Sequence, residues 1–404
     1  MKKIYTSNFY KKNCFLFRKS FMKKIAIIGA GISGLFAANL FSKNSDYQVM
    51  IYEKNNSIEL DEGYGIQLST NSIKLLNNIG FNNLKDIHQF NPEQIDFYDL
   101  KNQKKICELN ISKFNTENCK YTALKRSKLV EFLKNRLDNQ VIKYGHNIQK
   151  IEKKDDQVVL SFNENNKVVC DILIISDGVF SKGKSLISNY ETRPSYNQSI
   201  AIRGNILGNN LKNLNERNIS LFLGNNFHYV VYRLNQNDNV HNFIGILNYQ
   251  LTPNELENYS LFKDEAFIKG IKDKLKYKIS SVILDNLENI KCFPVFVSQG
   301  FLKPGKNIFL IGDAFYAFPP SFAQGASQSI ESGFELFECI TNNKNNFYKN
   351  RVSRVQMINN RSKFNQFAFH LSNPVMVFFR NLSLKILINN KKFLERYLGK
   401  IYKN

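Results

Sequence analysis

Short uninterrupted apolar runs, each followed within a few residues by glycine, recur along the chain. Residues 25–28, 172–175 and 308–311 are such runs. Apolar runs of this length, bounded by glycine, are typical of strands buried in a parallel sheet. A helix predicted at 33–42 and a strand predicted at 49–52 follow the first run. Together these segments predict a β-α-β unit at the start of the folded chain.

The middle of the chain has a different pattern. Between residues 195 and 250, short β-like segments alternate with turns rich in Asn and Gly, which predicts an antiparallel sheet. Helices are predicted at 71–79, 127–137, 256–275 and 327–340, and the segment after 340 is predicted to be largely helical. The predicted fold class is therefore α/β, with a Rossmann-like domain, an inserted antiparallel β-sheet domain and a helical C-terminus.

Positive charge is concentrated at the two ends of the chain. The net charge is +22, of which residues 1–24 supply +8 and residues 341–404 supply +12, so residues 25–340 are close to neutral. A near-neutral body argues against a nucleic-acid enzyme, which usually carries a basic groove. The basic ends are compatible with weak contact to an anionic membrane surface, and equally with a solvated lysine-rich surface. We expect a cytoplasmic protein, with peripheral membrane contact left open.

Several other features are not expected. The six cysteines form no CxxC pair and the five histidines form no i,i+4 pair, so we predict neither a disulfide framework nor a metal site. Residues 1–22 are interpreted as an N-terminal extension, because Met22-Lys-Lys-Ile repeats the first four residues and suggests a later start codon. Lysine and arginine interrupt its apolar stretch, which disfavours a signal peptide. No transmembrane helix is predicted.

A glycine motif joins the first predicted strand to the first predicted helix. Its glycines permit a tight turn, close approach of a pyrophosphate to the backbone, and close packing of helix on strand. The N-terminus of the helix then presents free N–H groups to the anion. A carboxylate at the end of the second strand is suited to the ribose hydroxyls. The residues predicted to bind the dinucleotide here are Gly29, Ala30, Gly31, Ser33, Gly34 and Glu53.

A second motif follows the third apolar run. Gly312 and Asp313 stand where the carboxyl end of a strand faces the ligand crevice of an α/β sheet, and the carboxylate suits a polyhydroxyl ribityl chain. The segment Gln324-Gly325-Ala326 opens the helix predicted at 327–340, whose N–H groups can face the electron-rich edge of a reduced flavin. The two motifs together predict binding of a flavin dinucleotide, FAD.

These motifs resemble those of the class A flavoprotein aromatic hydroxylases, the p-hydroxybenzoate hydroxylase-like group. The resemblance runs from about residue 23 to 370 and also includes the Asp177-Gly178 motif, Arg126, and the segment Glu62-Gly-Tyr-Gly65-Ile-Gln67 that enters the flavin cleft in the family. It implies that Arg126 and Asp177 contact the cofactor. The segment from Ala323 to Glu331 is similar to the salicylate hydroxylase and zeaxanthin epoxidase branch, with the ubiquinone-pathway hydroxylases as second choice.

The predicted domains follow from this reading. Residues 1–22 are the extension, and residues 346–404 form a basic helical region. The FAD-binding domain is predicted to comprise 23–90, 120–185 and 290–345, and the substrate-binding sheet domain to comprise 91–119 and 186–289.

The resemblance implies a monooxygenase in which NADH or NADPH, as a transient co-substrate, reduces the flavin and O2 supplies an oxygen atom to an aromatic or quinone-like substrate. A single dinucleotide motif fits one bound FAD and a visiting nicotinamide. Two alternatives remain open: an FAD-dependent NAD(P)H oxidoreductase without oxygen insertion, and a non-catalytic FAD-binding protein. The residues expected to contact a small aromatic or lipophilic substrate are Arg203, His228, Tyr229, Tyr232, Pro319 and Pro320.

The sequence leaves two roles open for Arg203 and two for His228. Arg203 can clamp a substrate carboxylate or pair with a surface acid, and His228 can act as a base or as a hydrogen-bonded structural residue. Tyr316, Lys184 and Ser332 depart from the residues usual in the family. Residues 364–398 mix apolar and basic positions, which fits either a helix covering the substrate domain or an amphipathic element at a membrane surface.

Overall fold

The structure is a computed structural model that describes residues 22–403 except 59, 61–63, 85–87, 164–165, 189–192, 212–213 and 238. Residues 1–21 of the predicted extension, and Glu62 of the flavin-cleft segment, lie outside the described residues.

A five-stranded parallel sheet forms the centre of the first part of the fold. Its strands lie in the order β18-β12-β1-β2-β8, so the three apolar runs of the sequence are neighbours. The runs are buried on both faces, which explains why they lack polar alternation. The strands are β1 (Lys23–Ile28), β2 (Tyr47–Tyr52), β8 (Ile142–Lys143), β12 (Ile172–Ile175) and β18 (Ile308–Leu310).

Helices and small sheets surround this layer. One apolar cluster packs α1 (Ile32–Phe41) and α9 (Gly325–Thr341) on one side of the parallel sheet, and another joins the other side to a three-stranded antiparallel sheet. That sheet comprises β9 (Ile148–Lys154), β10 (Gln157–Phe162) and β11 (Lys167–Cys170); a further small sheet comprises β3 (Gly65–Leu68), β4 (Gln89–Phe90) and β7 (Thr122–Lys125).

A seven-stranded sheet forms the second part of the fold, in the order β17-β13-β16-β15-β14-β5-β6. All neighbours are antiparallel except β14 and β5. It combines strands from 91–119 and 186–289 with β17, which spans the predicted boundary at 289/290. The strands are β5 (Gln94–Asp99), β6 (Lys105–Asn110), β13 (Ser195–Leu207), β14 (Ile219–Gly224), β15 (Phe227–Arg233), β16 (Val240–Asn248) and β17 (Glu288–Val297).

The helices include most of those predicted. They are α1 (Ile32–Phe41), α2 (Thr70–Asn77), α3 (Arg126–Lys134), α4 (Lys182–Ile187), α5 (Pro253–Glu257), α6 (Glu265–Leu275), α7 (Ser281–Asp285), α8 (Gly312–Phe315), α9 (Gly325–Thr341), α10 (Phe347–Phe369), α11 (Pro374–Leu387), α12 (Lys391–Leu394) and α13 (Lys400–Tyr402). The single helix predicted at 256–275 is wrong. The Asp264 side chain accepts a hydrogen bond from the Phe267 N–H and starts α6 anew.

The predicted α/β class, with its Rossmann-like unit, inserted sheet and helical C-terminus, is confirmed. Within the part of the chain that the structure describes, no helix combines the length and apolar character needed to cross a bilayer.

Candidate functional site

The glycine motif forms the turn between β1 and α1. Gly29 has a φ of +96°, and a Cβ there would lie 2.8 Å from the carbonyl oxygen of Ser176. At Gly34 a Cβ would lie 2.1 Å from the carbonyl oxygen of Gly29. At Gly31, by contrast, no atom of the other described residues, apart from the two chain neighbours, lies within 4 Å of such a Cβ. Two glycines are therefore required by the protein's own packing, whereas the third borders open space at the start of α1.

Glu53 lies at the end of β2, next to this turn. Its carboxylate accepts hydrogen bonds from the Ala30 N–H at 2.8 Å and from the Asn55 N–H at 3.0 Å. These two contacts orient the side chain beside the open space at Gly31. Each carboxylate oxygen retains acceptor capacity, so the group can also bind ribose hydroxyls.

The second motif meets the first directly. Gly312 has a φ of +59°, and a Cβ there would lie 2.6 Å from Oγ of Ser33, on α1. The Gly312 N–H donates to Oγ of Ser332 at 3.0 Å, which gives that departure from the family pattern a structural role. Two motifs separated by more than two thirds of the chain thus form one site.

Asp313 follows Gly312, and its side chain is exposed to a cavity. Desolvation inside the cavity raises the pKa of Asp313 from 3.8 to about 6, an effect that nearby Arg126 opposes. Gly325 and Ala326, at the start of α9, line the same cavity. Gln324 is buried, and among the described residues its Nε2 has no hydrogen-bond partner.

Asp177 is close to the glycine motif, but its carboxylate has local partners. It accepts hydrogen bonds from the Ser181 hydroxyl and, at 2.9 Å, from the Gly183 N–H. The Ser181 hydroxyl in turn accepts from the Lys184 N–H at 2.9 Å and caps α4. Burial raises the pKa of Asp177 against these hydrogen bonds. The side chain therefore holds the start of α4, and its backbone packs on Gly29.

A cavity of about 700 Å³ extends from Asp313 to the seven-stranded sheet. Most of its wall is apolar, contributed by the sheet and by α11 to α13. Of the six predicted substrate contacts, four line it: Arg203, His228, Tyr232 and Pro320.

The other two, Tyr229 and Pro319, do not line this cavity. Tyr229 alternates with His228 along β15 and points to the opposite face, where it stacks between Phe222 and Phe243 with ring centroids 4.4 and 5.3 Å away. Pro319 is buried outside the cavity, and its carbonyl accepts a hydrogen bond from Ser362.

Arg203 contacts the flavin-cleft strand. Its guanidinium donates to the Gly65 carbonyl at 3.3 Å and lies 5.4 Å from the ring centre of Tyr64. Tyr232 is buried on the same face of the sheet. These contacts place the Arg203 guanidinium at the cavity wall.

His228 belongs to a hydrogen-bonded chain that reaches the protein surface. The Asn248 amide donates to Asn226 at 3.2 Å, so its oxygen accepts from Nδ1 of His370 at 2.8 Å. Nε2 of His370 then accepts from Nδ1 of His228 at 2.7 Å. This order leaves Nε2 of His228 as an acceptor. Burial lowers the pKa of both imidazoles, to about 4 for His370, so both are neutral at pH 7.

Sequence reasoning missed a buried ionic cluster behind α9. Glu331 accepts hydrogen bonds from Nε and Nη2 of Arg354, both at 2.9 Å, and lies 3.5 Å from Nη1 of Arg351. Arg351 is 1% exposed and also donates to Gln328 at 2.6 Å. The cluster fixes α9 against α10. No local pattern indicated it, because the partners belong to different helices.

Comparisons with known proteins agree with this geometry. Residues 27–59, the β1-α1-β2 unit, match the family of NAD(P)-binding Rossmann-like domains. The chain is 24% identical over 362 residues to 3-amino-4-hydroxybenzoate 2-monooxygenase PtnB3 of Streptomyces platensis, covering 86% of this chain and 89% of the relative.

Solved structures show the same fold. A salicylate hydroxylase in complex with substrate superimposes with a TM-score of 0.76 at 15% identity, over 95% of this chain and 96% of the other. Klebsiella pneumoniae HpxO, complexed with FAD and uric acid, gives a TM-score of 0.78 at 15% identity, over 94% and 96%. These findings confirm the resemblance: the chain has homologues among the aromatic monooxygenases and the fold of the salicylate hydroxylase-like flavoenzymes.

Proposed function

We propose that the protein is an FAD-dependent monooxygenase that uses NAD(P)H and O2 to hydroxylate an aromatic or quinone-like substrate. One observation carries the proposal: the two dinucleotide motifs meet at Ser33 and Gly312, and the cavity that starts at Asp313 ends on an apolar sheet. The similarity to a 3-amino-4-hydroxybenzoate 2-monooxygenase over most of both chains supports the same reaction class.

The residues present fit FAD. Glu53 would hold the ribose, the open space at Gly31 would admit the pyrophosphate to the start of α1, and Asp313 would accept hydrogen bonds from the ribityl hydroxyls. Arg126 and the N–H groups of Gly325 and Ala326 would face the isoalloxazine ring, and the unpartnered amide of Gln324 lies directly before them. Bound FAD supplies the redox chemistry, accepting the hydride of NAD(P)H and activating O2.

The opposite wall would bind and orient the substrate. The apolar lining excludes water and favours a largely apolar ring system. Neutral His228 would accept a hydrogen bond from a substrate hydroxyl through Nε2, while Arg203 would contact an anionic or carbonyl substituent. Replacing His228 by Leu should raise KM for a phenolic substrate roughly tenfold, the cost of one unpaired buried donor. It should leave the rate of NAD(P)H oxidation without substrate unchanged.

The predicted domain segments differ in what they bind. In this proposal 23–90, 120–185 and 290–345 bind FAD, and 91–119 and 186–289 contribute most of the substrate wall. NAD(P)H visits transiently, because the described residues include one dinucleotide turn of this type. We place the enzyme in the cytoplasm, with its basic termini in weak contact with anionic membrane lipids.

The test is NAD(P)H oxidation by the reconstituted protein in ¹⁸O2, with aromatic acids, phenols and short-chain prenylphenols as substrates. Substrate-stimulated oxidation with one ¹⁸O atom in the product is expected. Substrate-stimulated NAD(P)H oxidation without ¹⁸O in the product would favour the oxidoreductase alternative. A flavin that NAD(P)H does not bleach with any compound would favour a non-catalytic binding protein.

A further inference from the structure

Helix α11 carries apolar side chains on two sides. Its inner side contributes Leu384 and Leu387 to the cavity wall, followed by Ile388 just beyond the helix. Its outer side exposes Phe378 and Phe379, which are 64% and 56% exposed. The same outer surface includes Val375, Met376, Leu382 and Ile386, all exposed.

Polar contacts fix the start of the helix and hold it against the body of the protein. Asn373 caps it by accepting from the Val375 N–H at 3.0 Å. Arg380, buried on the inner side, donates to the Ala368 carbonyl at 3.4 Å and lies 3.9 Å from Asp99. The outer apolar surface is therefore a stable feature of a docked helix, and none of the described residues covers it. A surface of this kind marks an interaction site.

The charge of the C-terminal segment favours an anionic partner for this surface. Residues 374–403 contain seven Lys or Arg and one acid, Glu395. Lys385 on α11, and Lys391 and Lys392 on the following helix α12, are exposed. Two copies of the chain meeting through this face would bring like charges together, which is unfavourable. An anionic lipid surface would instead pair with the lysines while its acyl chains receive the phenylalanines.

We propose that α11 is an interfacial membrane anchor, inserted by Phe378 and Phe379 into anionic bilayers and backed by the substrate cavity. Because its inner side lines that cavity, the anchor would bring the cavity next to the acyl chains. The substrate class would then be a lipophilic phenol or quinone precursor dissolved in the membrane, and this second step alone rests on the proposed function.

The first experiment is flotation of the full-length holoprotein with phosphatidylcholine vesicles, with and without phosphatidylglycerol. Binding to the anionic vesicles, weakened by salt, is expected. The double change Phe378→Ser with Phe379→Ser should lower partitioning at least about tenfold. The control is Tyr277→Ser, since Tyr277 is 93% exposed after α6 and lies outside the surface.

A second readout uses the absence of tryptophan from the chain. Phe379→Trp introduces a single reporter whose emission should shift to the blue with anionic vesicles and be quenched by brominated lipids. Tyr277→Trp should show neither effect. Vesicle binding that survives the double serine change, or no binding by the parent protein, would overturn the proposal. So would a parent dimer that the serine changes convert to monomer without any vesicle binding.

The substrate step is tested separately. With a prenylphenol in anionic vesicles, the double serine variant should lose kcat/KM about as much as it loses partitioning, and retain activity on a water-soluble phenol. Failure of every turnover assay would refute the monooxygenase but leave the flotation result standing. If the parent protein floats with the vesicles but the double serine variant turns over the membrane substrate equally well, substrate does not reach the cavity through α11.

Discussion

Replacing Gly31 by alanine should separate cofactor binding from folding. Gly31 has φ −79° and ψ −177°, a conformation that alanine adopts without strain. Apart from residue 31 itself and its two chain neighbours, no atom of the described residues lies within 4 Å of the added methyl. The apoprotein should therefore keep its free energy of unfolding, or gain about 0.4–1 kcal/mol because the unfolded chain loses freedom.

FAD binding should respond very differently. The methyl group would occupy the space from which a pyrophosphate approaches the N–H groups of α1. Loss of two hydrogen bonds to a charged group, at about 1.5 kcal/mol each, gives about 3 kcal/mol. The dissociation constant for FAD should then rise at least about 100-fold.

Gly34→Ala is the matched comparison. Its Cβ would lie 2.1 Å from the Gly29 carbonyl oxygen and 2.5 Å from Oγ of Ser176, so β1 and α1 must separate. We expect the apoprotein itself to lose about 3 kcal/mol or more of stability. Denaturant unfolding of both apoproteins, with FAD titration followed by flavin fluorescence, measures the two effects. Wild-type FAD affinity in Gly31→Ala, or equal destabilisation of both variants, would refute this reasoning.

Three further changes test other parts of the site. The folded-state pKa of Asp313, about 6, exceeds its ordinary 3.8, so apoprotein stability should fall as pH rises between these values. Asp313→Asn should abolish that fall in stability. After allowance for solvent screening in the cavity, it should stabilise the apoprotein by about 1 kcal/mol at pH 7 and weaken FAD binding. Urea unfolding across pH measures the first effect, and flavin titration measures the second. Arg351→Met leaves part of Glu331's charge uncompensated between α9 and α10, and should cost about 3 kcal/mol in denaturant unfolding. An unchanged unfolding midpoint would show that the cluster does not contribute to stability. Ser332→Ala removes the acceptor of the Gly312 N–H and should lower the thermal midpoint by an amount equivalent to about 1 kcal/mol, whereas Ser329→Ala should have a smaller effect.

The parts of the fold that local sequence determines were predictable. The turn at Gly29 and the buried run before Gly312 depend on residues close in the chain, and both were recognised. Assigning Tyr229 and His228 to opposite faces requires the orientation of β15, which sequence alternation alone does not provide. Glu331 and Arg354 meet only because α9 packs on α10.

The orientation of α11 also could not be predicted from the sequence. Its sequence is apolar on two sides, and only the docked position shows which side faces the cavity. The two interpretations of this segment, a cover for the substrate domain and a membrane-surface element, therefore describe different sides of one helix.

The order of strands in the parallel sheet has a consequence for biosynthesis. β1 leaves the ribosome early, but its neighbour β12 and the adjoining β18 follow only much later in translation. The glycine turn packs on the residue after β12, and Gly312 meets it only after β18 has been made. Long-range pairing of this kind forms slowly. FAD therefore has no complete site to enter until most of the chain has been synthesised, and every molecule passes through an apoprotein stage whose length depends on the cell's supply of flavin.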